Sequence, residues 1–455
     1  MNRWLVSIWR MPELRSRVLF TLGLMAVFRM GIHVPAPGVD RTALGQLVEQ
    51  NQGTAFGLYD MFSGGAMSQY SIFFLGVTPY ITASIIMQIL TVVVPQLERL
   101  SKEGQQGRNR ITQYTRYATV GIAIFQSLAA AVTLEHQKTS AGAEVVLNAG
   151  LYFKLITMIT MTTGSCFVMW IGEQISERGI GNGSSLIITA GIVSQLPNAG
   201  YGTFQKLQIG EVNLLEVTLL LGMMVVVIGL IVWMERAQRR IPIQYAKRVV
   251  GRRVYGGQTT HLPLKINTTG VIPPIFASSL LMAPATVAAF FQGQGGANSS
   301  FAGALGALSS LFAPGAWLYN YSYVALIVFF SYFYTAMMFN PVDVADNLKK
   351  QGGYIPNVRP GKQTAEYIDH ILTRLTGAGA VYLAAVCILP TMLVTNYGVP
   401  FYFGGTGLLI VVGVSLDTVA QIEAQMLTSH YDGIQGPTVG GRRRMLVGAG
   451  TPEAV

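Results

Sequence analysis

The stretch Asp60–Val94, DMFSGGAMSQYSIFFLGVTPYITASIIMQILTVVV, constrains this chain more than any other. It is apolar enough to enter a membrane, yet Gly64 and Gly65 interrupt it near its start, and Ser68, Gln69 and Ser71 add polarity. A long apolar helix is expected only from Ile72 onward. Irregular backbone at membrane depth is tolerated only where it is buried in protein or lines an aqueous path. The pattern therefore implies a route through a membrane as well as an anchor in it.

The remainder of the chain agrees. Only 11% of the 455 residues are charged and 51% are hydrophobic, whereas a soluble domain carries about 25% charged residues. A span takes about 20 mostly apolar residues. Ten spans are predicted: Val18–Val34, Ile72–Val94, Tyr117–Leu134, Tyr152–Gly172, Ser184–Leu196, Leu214–Met234, Val271–Phe291, Tyr319–Asn340, Leu375–Val394 and Gly405–Met426. The first follows a basic head (Arg3, Arg10, Arg15, Arg17), is too long for the apolar core of a cleaved leader, and reads as a retained span. The fold class expected is an all-α polytopic membrane protein. Its two pseudo-symmetric five-helix halves cover residues 1–200 and 201–428, and a tail covers 429–455.

Charge placement orients the chain. With the N-terminus in the cytoplasm, 26 of the 31 Lys and Arg fall in inner segments and only Arg41, Lys138 and Lys206 in outer loops. That asymmetry puts both termini inside. Two inner loops stand out. Residues 235–265 hold eight basic residues and one acidic, with a β-like alternation over 241–245 that predicts a small projecting hairpin. Residues 341–374 add Lys349, Lys350, Arg359, Lys362 and Arg374. Their positive charge serves topology and anionic-lipid contact, and also fits a docking surface for a soluble cytoplasmic partner.

No chemistry-bearing constellation appears. His33, His136, His261, His370 and His430 lie in loops or at span ends, and Cys166 and Cys387 sit in apolar runs as small packing residues. The chain has no HExxH, no Walker A and no Cys/His cluster at metal-ligand spacing. Neither catalysis nor a cofactor or metal is expected. Gly179–Ser185, GIGNGSS, lacks a phosphate-loop lysine and reads as a flexible start to a helix. Ionisable residues near spans are few: Arg29 is placed to snorkel to the outer face, Lys154 and Glu216 stand near span ends, and Asp417 and Glu423 lie within reach of the inner interface. A passive channel for polypeptides and a secondary transporter for a small solute both remain compatible with these residues, and a membrane enzyme less so.

A series of longer motifs narrows this. In order they are FSGG (Phe62–Gly65), GRNRITQYTRY (Gly107–Tyr117), GEQISERGIGNG (Gly172–Gly183), ERAQRRIPIQYAKR (Glu235–Arg248), THLPLKIN (Thr260–Asn267), the FNPVDVADNLKK to RPG stretch (Phe339–Gly361) and PFYFGGTGLLIVV (Pro400–Val412). From about Arg15 to Met426 the chain resembles the SecY family of bacterial protein-conducting channels. The resemblance implies two five-span halves that open like a clamshell around a crossing polypeptide, with a lateral exit into lipid. It implies a plug, a short half-helix over about 59–68 that includes Phe62, Ser63, Gly64 and Gly65 and is polar, weakly anchored and easily displaced. It further implies an apolar pore ring of Val77, Ile81, Ser184, Ile188, Ile275 and Ile410, in which Ser184 departs from the usual branched apolar residue. Lateral-gate contacts would be Thr82, Gln88, Gln126 and Asn267, in a seal of polar pairs worth only about 0.6–2 kcal/mol each. Docking of the ribosome or the SecA motor would fall to Lys247, Arg248, Arg252, Arg253 and Arg359. The partners implied are SecE and SecG, SecA, the ribosome, signal-sequence-bearing polypeptides and membrane lipids, in a bacterial inner membrane.

Overall fold

The computed structural model describes residues 11–40, 42–45, 60, 63–136, 145–210, 213–245, 248–250, 253–255, 259–281, 316–397 and 405–434. Phe62, Lys247 and Arg252 lie outside the described residues. The chain is mostly helical: α1 (Pro12–Ile32), α2 (Thr78–Val93), α3 (Pro95–Lys102), α4 (Gln105–His136), α5 (Leu151–Arg178), α6 (Gly183–Ile209) and α7 (Leu214–Arg236) precede a strand region. After it come α8 (Ile272–Leu281), α9 (Trp317–Met338), α10 (Pro341–Lys350), α11 (Lys362–Tyr397) and α12 (Gly405–Ile434). Among the described residues, six helical stretches are long and apolar enough to cross a membrane, or seven if the bent pair α2–α3 counts as one. The chain is thus membrane-spanning. The 98° bend has a local cause: Pro95 opens α3, and Val94 before it is extended, as a residue preceding proline prefers.

Several helices outrun their apolar cores. α4 begins at Gln105 rather than Tyr117, and α11 at Lys362 rather than Leu375. Residues such as Lys, Arg, Gln and Glu sustain a helix as well as apolar residues do, so hydropathy alone underestimates these lengths. The second expected span errs the other way. Its helix starts at Thr78, not Ile72, and residues 64–70 and 72–77 are turns and bends. Here the backbone is engaged elsewhere: Ser71 bridges Pro35, the Ala36 amide donates to the Tyr70 carbonyl at 2.8 Å, and the Ile72 amide to Val34 at 3.0 Å. Gly76, at φ +55°, then turns the chain into the Pro79-led first turn of α2.

The all-α expectation is also corrected. β1 (Gln238–Tyr245), β2 (Arg248–Val250), β3 (Arg253–Tyr255), β4 (Thr259–Lys265) and β5 (Gly353–Tyr354) are strands. β4, β1 and β5 form an antiparallel sheet in that order, and β2 pairs with β3 at its tip. β1 runs against β4 from Gln238↔Lys265 to Gln244↔Thr259. β5 covers only Gln244 and Tyr245, so its pairing stops short of Pro242, which has no N–H to give. The hairpin expected from the sequence is therefore present, and the other basic loop joins it.

Three apolar clusters hold the chain. The largest draws on α1, α2, α5, α6, α7, α8, α9, α11 and α12, from Phe28 through Ile188 to Val414. A second forms around the segment after α1, with Val39, Met67, Tyr70, Phe74 and Phe153. A third binds the sheet: Ile241, Ile243 and Leu264 pack with Leu348, Ile355, Ile368 and Ile371. Truncation of Ile243 to Ala is expected to destabilise this last cluster by about 2–5 kcal/mol. Limited trypsin digestion checks it: cleavage at Arg239, Arg240 and Lys265 should accelerate while the helical body stays intact, and an unchanged cleavage rate would contradict the packing assignment.

Candidate functional site

Five of the six residues expected at a constriction belong to one apolar cluster. Val77 ends the turn before α2 and Ile81 follows one turn in; Ile188 comes from α6, Ile275 from α8 and Ile410 from α12. All five are buried in the largest apolar cluster, to which both halves of the chain contribute. Ser184 is not among them. Its backbone N–H and hydroxyl both bond the Asn182 carboxamide oxygen, at 3.2 and 2.8 Å, so it serves the N-terminus of α6. The apolar residue that accompanies Ile188 on its face of α6 is Ile192, one turn on and fully buried. The i, i+4 spacing was the signal for it. A group of branched aliphatic side chains offers nothing to bind an ion or a particular side chain, and it resists wetting.

Beside this cluster lies the irregular segment 60–77. Asp60 organises it. Its carboxylate accepts the amides of Ser68 at 2.9 Å and Met67 at 3.1 Å. Its carbonyl accepts the Gly65 amide, the Ser63 hydroxyl and the Gln195 side-chain amide of α6, the last at 3.1 Å. From α1, the Arg29 guanidinium donates to the Gly64 carbonyl at 3.0 Å, and His33 Nδ1 meets Gln69 Oε1 at 2.9 Å. Gly64 sits at φ +72°, and a Cβ there would come 2.7 Å from the Gly191 Cα of α6. Ser63, Ala66, Met67 and Tyr70 are all buried, and the Tyr70 hydroxyl meets Thr157 Oγ1 at 3.0 Å. Two expectations change. The segment is firmly tied to α1 and α6 rather than weakly anchored, and Arg29 is turned onto it rather than snorkelling outward. An arginine in an apolar span demands a partner, and that demand was the legible signal.

The four residues expected at the gate differ in their partners. Thr82 Oγ1 donates to the Thr78 carbonyl within α2, and Gln88 Nε2 donates to Ser84 Oγ. Gln88 Oε1 and Gln126 Oε1, on the packed pair α2 and α4, are buried with no hydrogen-bond partner among the described residues. Asn267 is buried at the far side of the strand region. Its amide donates to Glu235 Oε1 at 2.6 Å and to the Gly270 carbonyl at 3.0 Å, and its oxygen accepts from Thr269. It ties the end of α7 to the turn that leads into α8.

Of the docking residues, Arg248 stands in β2 opposite Tyr255, and Arg253 in β3 opposite Val250. Arg359 is exposed on the turn between β5 and α11. That turn is held by Asn357 in the left-handed region and by the Thr364 hydroxyl donating to the Arg359 carbonyl at 2.9 Å. Because β5 pairs with β1, the two basic loops form one body.

The remaining charged groups near spans are settled locally. Lys154 pairs with Glu135 at 2.8 Å, Glu216 caps its own helix at Asn213, and Asp417 lies 3.9 Å from Lys265. Outside the membrane, Asp40 accepts the Thr42 hydroxyl and amide, which holds its carboxyl below the usual range. The sequence reading missed the role of the 179–183 turn. It is fixed, not flexible: the Ile180 amide donates to Thr21 Oγ1 of α1, Gly181 to Gln421 Oε1 of α12 and Gly183 to Ser176 Oγ. Beside it, Arg116 grips Glu173 with two bonds of 2.9 Å, joining α4 to α5.

The chain is similar to known proteins. The family model described as SecY matches residues 71–419. "Protein translocase subunit SecY" of Escherichia coli (strain K12) is 49% identical over 420 residues, covering 92% of this chain and 93% of that protein. The protein of the same name from Aquifex aeolicus (strain VF5) is 44% identical, covering 95% of this chain and 99% of that one. Among solved structures, one described as "The structure of a protein conducting channel" superposes with a TM-score of 0.61 at 17% identity, over 90% of this chain and 92% of that one. Another, "Sec61 in the Canine ribosome-channel complex from the endoplasmic reticulum", gives 0.58 at 16% identity with the same coverages. At such identities the two structures speak to the fold, whereas the family match and the near-full-length relatives make this chain a member of the SecY family.

Proposed function

We propose that this chain is the pore-forming subunit of a protein translocase, passing unfolded polypeptides across a bacterial inner membrane and releasing hydrophobic segments sideways into lipid. The observation that carries the reading is the convergence of Val77, Ile81, Ile188, Ile275 and Ile410, from both halves of the chain, in one buried apolar cluster beside the irregular segment 60–77. In this reading ten spans form two five-helix halves, residues 1–200 and 201–428. The aliphatic group is the constriction, and residues 59–68 are the plug that closes it at rest. Both termini are cytoplasmic, which the distribution of Lys and Arg supports.

The sequence holds no Walker A motif, and in this reading the driving force comes from SecA or from ribosomal synthesis. SecE and SecG complete the heterotrimer. The docking surface is the sheet body with Lys247, Arg248, Arg252, Arg253 and Arg359. Ribosomal RNA is a polyanion, and its attachment to such a surface weakens steeply as salt rises. Arg359→Glu is expected to lower translocation of a secretory precursor at least about tenfold, a loss of about 1.4 kcal/mol in partner binding. The amount of chain in the membrane should be unchanged. Reconstituted vesicles with SecA measure it, and wild-type translocation by this variant would remove Arg359 from the docking surface.

The lateral gate runs between α2 and α8 with their neighbours, among them α4. The buried orphan oxygens of Gln88 and Gln126 burden the closed seam, each at a cost of about 1–3 kcal/mol. Replacing both by Leu should tighten that seam, so that a signal sequence must be more hydrophobic to open it. A graded series of signal sequences in an insertion assay checks this. An unshifted threshold would separate these glutamines from the gate.

A further inference from the structure

The plug reading leaves open what holds the segment in place and what replaces it when it leaves. Among the described residues, two side chains from outside residues 60–68 grip that stretch by polar contacts, and both take hold of backbone carbonyls. Arg29 of α1 bonds the Gly64 carbonyl, and Gln195 of α6 bonds that of Asp60. Both helices come from the same half of the chain. No carboxylate among the described residues lies within ion-pair distance of Arg29, and the Asp60 carboxylate is occupied by the Met67 and Ser68 amides. The guanidinium thus depends on a peptide carbonyl for its partner, and the Gln195 amide bonds one too. The close approach of Gly64 to Gly191 seats the segment so that both carbonyls meet their donors.

We propose that Arg29 and Gln195 form a carbonyl-binding pair with two successive ligands: the plug backbone at rest and the backbone of the passing polypeptide when the channel is engaged. The proposal rests on the plug reading. Removing the plug strands a charged donor and an amide donor in an apolar setting, where an unpaired donor is costly. An extended chain in the pore presents a carbonyl at every residue, whatever its side chains. Exchange of one carbonyl for another keeps both donors satisfied and carries no sequence preference, which suits a channel that must accept many substrates. The aliphatic cluster seals around side chains, and the pair addresses the main chain. Arg29 and Gln195 are positioning residues in this account. They set how strongly the resting channel is held shut.

The test uses the complete translocase in vesicles and reads two quantities: ion leak through the idle channel, and export of a precursor with a defective signal sequence. Arg29→Met is expected to raise idle leak about 10- to 100-fold, the share of a charged hydrogen bond, and Gln195→Leu about 2- to 10-fold. The double variant should approach the product and export the defective precursor. Arg29→Lys, which keeps a cationic donor, should fall between Met and wild type. A chain lacking residues 60–68 should leak strongly, and the two substitutions should then add nothing. Should Arg29→Met fail to assemble, Arg29→Lys and Gln195→Leu carry the test, and wild-type leak in both overturns the proposal. If the deletion leaks while the double variant matches wild type, the carbonyl pair is wrong and the plug stands. If the deletion itself does not leak, the plug reading fails. The exchange is read separately by a photo-reactive residue replacing Gln195. It should label the 60–68 segment in the idle channel and a stalled precursor in the engaged one, and labelling of the segment alone in both states overturns the exchange.

Discussion

Every backbone N–H and C=O placed inside an apolar helical body has to find a partner, and the segment 60–77 is where that requirement shapes the molecule. A helix would meet the demand within itself. Residues 64–70 and 72–77 are turns and bends, so their polar groups are met from outside or by side chains of the segment: Arg29, Gln195, the Asp60 carboxylate, and the strand-like contact with residues 34–36. Those partners fix where α1, α2 and α6 can stand relative to one another. The aliphatic residues that meet at the centre are therefore placed in part by a polar frame next to them.

The inner side of the molecule is organised on a different principle. With β5 only two residues long, the sheet is little more than a two-stranded hairpin, which is marginal alone, and its inner face packs on α10 and the first turns of α11 through Ile243, Leu348, Ile355 and Ile368. The result is a rigid basic platform built from two loops far apart in sequence. It is joined to the spans by α11, which runs on from it, and by a contact beside its strands. Glu235 ends α7, Asn267 follows β4, and their 2.6 Å contact lies directly before the turn into α8. A force on the platform reaches the helix that carries Ile275 through very few bonds.

How much of this was legible in the sequence depends on the range of the interactions. Long apolar runs gave the helices, and the alternation at 241–245 gave the hairpin, because both signals are local. Val77, Ile81, Ile188, Ile275 and Ile410 were reachable only through family motifs, since an isoleucine in a span looks like any other. The late start of α2 was hidden because residues 72–77 carry an apolar pattern that suits a helix equally well, and only their bridge to residues 34–36 decides otherwise. β5 is two residues long and has no periodicity to detect. Arg29 was visible as an anomaly, but its partner is a backbone carbonyl, and no residue type advertises one. Ser184 was placed by register alone, and its own chemistry, a hydroxyl two residues after Asn182, marked it as a helix-start residue.

Segregating the polar and apolar tasks resolves a conflict that a channel of this kind faces. A seal made of hydrogen bonds would hold well at rest but grip each passing side chain differently, whereas a seal made only of aliphatic groups would pass any chain but offer little resistance to opening. In the proposed channel the aliphatic cluster would contribute indifference to sequence, through contacts that depend on shape and exclusion of water. The neighbouring frame contributes hold, through directional bonds to main-chain atoms. Main-chain atoms are the one chemical feature common to the resident segment and to every polypeptide. A frame that binds them can be strict about being occupied while remaining indifferent to what occupies it.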